Sequence, residues 1–133
     1  MSYSRLKLLV DPALRAMITS VVINTALYFT GTTMGIISLD VPVTPDGQVF
    51  SLPPVIVASI IPIILAVLIF WAMSLWMTFY KRWFLVLASV LLVVSFLSPF
   101  SVPQIPFGMA LLLNLMHVIV AGSVMYFFHF KYN

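Results

Sequence analysis

Residues 106–129 read PFGMALLLNLMHVIVAGSVMYFFH, and the reading of this stretch decides the fold. About 20 apolar residues cross a bilayer as a helix, so the run is long enough to span. His117 is the only titratable group deep inside it, with Asn114 one turn earlier. An ionisable side chain at that depth is costly, so it marks a site or a buried polar contact. Every Asp, Lys and Arg of the chain lies near the end of an apolar run or in a connection. The rest of the sequence is a scaffold that brings His117 near the centre of a membrane.

Composition supports this. The chain has 133 residues, 63% hydrophobic and 7% charged, with a mean hydropathy of +1.20. Soluble domains carry about 25% charged residues, which excludes an ordinary water-soluble fold. The chain contains no cysteine, so disulfide frameworks, thiol exchange and thiolate metal sites are excluded. The net charge of +3 is spread over three short sites without interleaved aromatics, a pattern that argues against a nucleic-acid partner. These basic residues instead set topology and meet the anionic headgroups of a lipid bilayer.

The expected fold class is an all-α membrane protein: one domain over residues 1–133, a four-transmembrane-helix bundle. Its helices fall at about 12–38, 53–80, 83–98 and 106–129. Residues 1–10 form a basic, apolar lead in the headgroup region. Asp11-Pro12 reads as a helix start, with Asp as cap and Pro in the first turn. The apolar run that follows is too long for a cleaved signal peptide and is read as a retained anchor. Pro62 should bend the second span. Lys81-Arg82 reads as a tight turn, and Pro99, Pro103 and Pro106 confine the next connection. In the connection 39–52, Val41, Val43, Val49 and Phe50 flank Pro45-Asp46-Gly47, a turn sequence. A small extracytoplasmic β-hairpin or loop is expected there.

Charge fixes the expected orientation. Arg5, Lys7 and Arg15 lie near the N-terminus, Lys81 and Arg82 in the second connection, and Lys131 near the C-terminus. The first and third connections hold no Lys or Arg. The positive-inside rule then makes both termini cytoplasmic in a multi-pass protein of the bacterial inner membrane. Trp76, Tyr80, Trp83, Tyr126 and Tyr132 form the matching aromatic belt.

Small and polar residues define two helix faces. Ala110, Asn114, His117 and Ala121 fall at i, i+4, i+7 and i+11 on the last helix. Ser20, Asn24, Tyr28, Gly31 and Gly35 make a comparable stripe on the first, and the last two form a GxxxG that permits close approach. The candidate ligand-binding residues are His117, Asn114, Asn24 and Tyr28. His117 is either a neutral imidazole gluing the first and last helices or a ligand- or proton-binding group in a central cavity. Its third reading is haem or pigment ligation, with Met17, Met73 or Met109 as the second ligand. No metal site and no catalytic residue are assigned. The chain has three acids (Asp11, Asp40 and Asp46) and no Glu, so it lacks an embedded carboxylate pair for acid–base work or cation-coupled antiport. A Ser/His/Asp constellation at one depth and a Gly-rich phosphate loop are also missing.

Three features carry a resemblance: Ser95-Phe96-Leu97-Ser98-Pro99 closing the third helix, Met116-His117 opening the second half of the fourth, and the valine-rich Val41–Phe50 loop. On these the sequence resembles a bacterial family of small four-helix membrane proteins of unknown function, over roughly residues 13–129. That resemblance implies a four-helix fold and no established activity. The expected function is a non-enzymatic structural or accessory subunit of a membrane assembly, with other membrane subunits or a homodimer as partners. The alternative is a binder or transporter of a small apolar or neutral molecule in a midplane pocket around His117, without a resident cofactor.

Overall fold

The computed structural model describes residues 3–43 and 47–130, with side chains from Leu9 to His129. Helix α1 (Tyr3–Thr33) is followed by α2 (Leu52–Trp76), α3 (Tyr80–Ser95), a single turn α4 (Leu97–Phe100) and α5 (Phe107–Met125), which ends in a π-helical turn, Tyr126–Phe130. Among the described residues, four stretches are long and apolar enough to cross a membrane: Leu9–Thr33, Leu52–Trp76, Tyr80–Phe100 and Phe107–His129. The fold is all-helical. α1 and α3 each pack on α2 and α5, while α2 and α5 touch across the bundle.

Helix α1 does not start at Asp11-Pro12. It begins at Tyr3 and carries Pro12 inside it. An interior proline removes one backbone hydrogen bond and costs about 3 kcal/mol. Tertiary packing offsets this, because Pro12 is fully buried beside Ala13 and Ala16. Asp11 therefore serves the helix surface rather than its cap: Arg15 Nε donates to Asp11 Oδ2 at 3.2 Å. With acid preceding base at i,i+4, the pair has the favoured order. The far end closes as a Schellman motif. Gly35 has φ +69°, Ile36 N–H donates to Gly31 O at 2.8 Å and Gly35 N–H to Thr32 O at 3.1 Å. Gly35 supplies the left-handed residue this closure needs.

The expected hairpin is not formed as strands among the described residues. The connection holds one isolated antiparallel bridge, Pro42 to Val49, and one adjacent bond, Val43 N–H to Gln48 O at 2.8 Å. Pro42 has no N–H to give a ladder, and Ile37 and Phe50 are drawn into the core. Pro45 and Asp46 of the expected turn lie outside the described residues, while Gly47 has φ +83°.

The second turn also moves. α2 ends at Trp76, Met77 is extended (φ −125°, ψ 133°), and Lys81 and Arg82 fall in the first turn of α3. Aromatic packing explains the shift. Phe70 meets Tyr80, Phe84 and Phe128 edge-on, with ring centroids 5.2, 5.0 and 5.0 Å away. Reversal at Met77–Phe79 brings Tyr80 and Phe84 onto Phe70. The break between α3 and α4 has a local cause: Pro99 has no N–H to return to the Ser95 carbonyl.

Two apolar clusters result. The terminal-end cluster joins Ala16, Ile63, Phe70, Phe84, Val124 and Phe128. At the loop end, Ile37, Phe50, Val55, Met109 and Met116 form the other. Between them each of three helices carries polar side chains: Ser20 and Asn24 on α1, Ser59 on α2 and His117 on α5.

Candidate functional site

Asn24 is the centre of the polar layer. It is 2% exposed, and Ser59 beside it is fully buried. The Asn24 amide Nδ2 donates to Ser59 Oγ at 2.9 Å and to Met116 O at 3.5 Å, tying α1 to α2 and α5. Ser59 gives its own proton to Val55 O at 2.8 Å, one turn back along α2. Both groups facing the amide are therefore acceptors, which fixes its nitrogen toward them. Asn24 Oδ1 is left without a partner among the described residues. An unsatisfied buried acceptor costs about 1–3 kcal/mol, so this atom is a strained resource.

A cavity of about 70 Å³ adjoins it, half open, lined by Asn24, Phe50, Val55, Ala58, Ser59, Leu113, Met116, His117 and Val120. One water needs ~10–15 Å³ by a comparable measure, so the space takes several heavy atoms. His117 is half-buried on its wall; its Nδ1 makes no well-formed hydrogen bond among the described residues, and the ring lies within reach of the Leu113 backbone one turn back. Apolar walls surround one unused amide oxygen and the edge of an imidazole. Such a site accepts a hydrogen bond and offers or accepts a second.

Two of the four expected residues, Asn24 and His117, meet here. Their relation differs from the expected glue, since Asn24 bonds Ser59 and Met116 rather than the imidazole. Asn114 turns toward α3, where its Nδ2 donates to Phe96 O at 3.3 Å and braces the α3–α4 break. Tyr28 packs in the loop-end cluster, its ring 5.8 Å from Phe50 and 5.5 Å from Phe29. Sequence reasoning missed Ser59. The available signal was its place as the one hydroxyl in the middle of α2, three residues before Pro62.

Of the stripe read on α1, Ser20, Asn24 and Gly31 are buried, Tyr28 is half-buried and Gly35 is exposed, while the buried face continues through Ala13 and Ala16. The GxxxG is not a paired interface. A Cβ at Gly31 would run into Leu112 of α5 and sit 2.9 Å from Ile37 Cδ1, whereas Gly35 meets nothing within 4 Å. The deepest face of α5 runs through Met109, Met116, Val120 and Val124, with Asn114 and His117 on its flank. The span midpoints fall at Val21, Ile64 and Val118. Asn24, Ser59 and His117 all lie to the loop side of these, so the cavity is displaced from the midplane toward the loop end.

A model for a family of unknown function (DUF6069) matches residues 5–131. The chain belongs to that family. The match takes in all four apolar helices and every residue of the cavity, and it extends beyond the 13–129 expected from the short motifs. No curated protein and no solved structure matches the chain.

Proposed function

We propose that this family member is a non-enzymatic bacterial inner-membrane protein, both termini cytoplasmic, that binds a small neutral molecule in the cavity beside His117. The carrying observation is Asn24 Oδ1, an acceptor on a side chain only 2% exposed that adjoins the cavity and lacks a donor among the described residues. A ligand O–H or N–H completes it, while Val55, Leu113 and Val120 hold the apolar remainder. The orientation rests on the Lys and Arg distribution.

The accessory-subunit reading draws on sparse polar content. Three of its deep polar residues, Asn24, Ser59 and His117, line one cavity, which supports a ligand there. Cavity size favours a small head group over a macrocycle, so haem or pigment is the weaker occupant.

Ala58→Leu tests the reading, because Ala58 lines the cavity and makes none of the hydrogen bonds. Native mass spectrometry of the full chain released from membranes should show a neutral adduct that Ala58→Leu removes. A wild-type chain without an adduct, or an adduct that survives Ala58→Leu, overturns it.

A further inference from the structure

The cavity beside Asn24 is closed on two sides. Toward α1, the Asn24 amide bridges Ser59 of α2 and the Met116 carbonyl of α5. Toward the loop end, Phe50 lines the cavity and is buried, its ring tilted against that of Tyr28 at 5.8 Å. The third side is different. Val55 and Ser59 are buried, yet Ala58, also in the lining, is exposed. The cavity therefore opens past Ala58.

Helices α2 and α3 show where that opening leads. Ala58, Pro62, Ala66, Ile69 and Met73 share one face of α2 by spacing. Ala66, Ile69 and Met73 pack against the terminal-end cluster, while Pro62 and Ala58 are exposed. Helix α3 changes in the same way. Phe84 is 3% exposed, and Leu91, further along the same face, is 50% exposed. The two helices meet at the terminal end and part toward the loop end. There the Asn114 bond to the Phe96 carbonyl holds α3 on α5, and among the described residues α4 packs on α5 and not on α2. A gap flanked by Ala58, Pro62 and Leu91 so reaches the cavity from the side of the bundle. Ala58 lies about 9 Å along α2 from Leu52, inside an apolar span, so the gap faces acyl chains rather than water.

The donor that Asn24 Oδ1 lacks among the described residues must arrive uncharged. No acid lines the cavity to pair with an ammonium group, and a carboxylate has no proton to give. A charge at this depth is costly in either case. An alcohol supplies the proton without charge. A cavity of about 70 Å³ holds a head group and little chain, so a longer apolar tail must leave through the gap. We propose, resting on the neutral-ligand function of this cavity, that its occupant is a hydroxyl-headed, single-chain amphiphile entering sideways from the bilayer. The hydroxyl donates to Asn24 Oδ1, and the chain lies between α2 and α3 on Pro62 and Leu91.

Photolabelling of the full chain in phosphatidylglycerol nanodiscs, with a hexadecanol carrying a mid-chain diazirine, tests this. Peptide mapping should place the label on α2 and α3 around Pro62 and Leu91. Unlabelled hexadecanol should compete about tenfold better than its methyl ether, which keeps the chain and loses the proton. Leu91→Trp, which fills the gap from outside the cavity lining, should weaken labelling; Val22→Trp, on the exposed face of α1, should not. Equal competition by alcohol and ether, or label spread evenly over the exposed faces of all four spans, overturns the proposal. Butanol matching hexadecanol at equal membrane mole fraction overturns the bilayer route and leaves the neutral-ligand function standing. Absence of any native adduct sensitive to Ala58→Leu overturns both.

Discussion

The two ends of the bundle are held by different means. At the terminal end, four helical segments contribute rings or aliphatic side chains directly, and Phe70 is gripped edge-on by three aromatic neighbours. At the loop end the seal is made partly by non-helical chain: Ile37, Val43, Phe50 and Ile105. Perpendicular aromatic pairs contribute about 0.5–1.5 kcal/mol each beyond area burial. A loop-borne side chain can settle when its neighbour is trimmed; a ring fixed on a helix cannot. The terminal end is thus a rigid base, and the loop end, beside the cavity, is the adaptable one.

Phe70→Ala should break this comparison most severely, costing ~3–5 kcal/mol in equilibrium unfolding from mixed detergent micelles. Phe50→Ala should cost clearly less in the same measurement. Equal losses would show that the loop end is as rigid as the base. Next comes Gly31→Val, which forces side-chain atoms into Leu112 and Ile37 and should cost about 2 kcal/mol. Adding Leu112→Ala should recover part of that loss, since the two sites are in contact.

The smallest effect concerns the connection before α5. Gln104 has φ +61°, and Ile105 N–H reaches Val102 O at 3.4 Å. With Pro103 at its second position, this is a type II turn, whose third position favours glycine. Gln104→Gly should therefore stabilise the protein by about 0.5 kcal/mol, seen as a small rise in thermal midpoint. A fall instead would mean that the Gln104 side chain contributes to the loop end.

Much of the scaffold was legible beforehand. The four apolar runs and the placing of Ser20 and Asn24 on one face of α1 follow from hydropathy and helical spacing. Legibility ended where competing local signals had to be ranked. Asp11-Pro12 has the chemistry of a helix start, yet burial of Pro12 overrode it. Lys81-Arg82 has the polarity of a turn, yet Met77–Phe79 turns because Tyr80 and Phe84 must reach Phe70. Val41 to Phe50 has strand-like residues, yet Pro42 starves the ladder of a donor. Asn114 and His117 share a helical face by spacing, but Asn114 is claimed by the carbonyl at the α3–α4 break.

Sequence by itself determined that this chain is built of helices fit to cross a membrane, and which few polar residues lie deep within them. Backbone groups have no partner in lipid except within a helix or a closed barrel, so a run of the right length is a strong constraint. Only the tertiary structure decided what those polar residues do. Ser59 meets Asn24 across 35 positions of sequence, at 2.9 Å, and no periodicity on one helix specifies the rotation of its neighbour. That contact occupies the amide nitrogen of Asn24 and leaves its oxygen open beside His117. The histidine that first drew notice is the wall of a site whose centre is an asparagine.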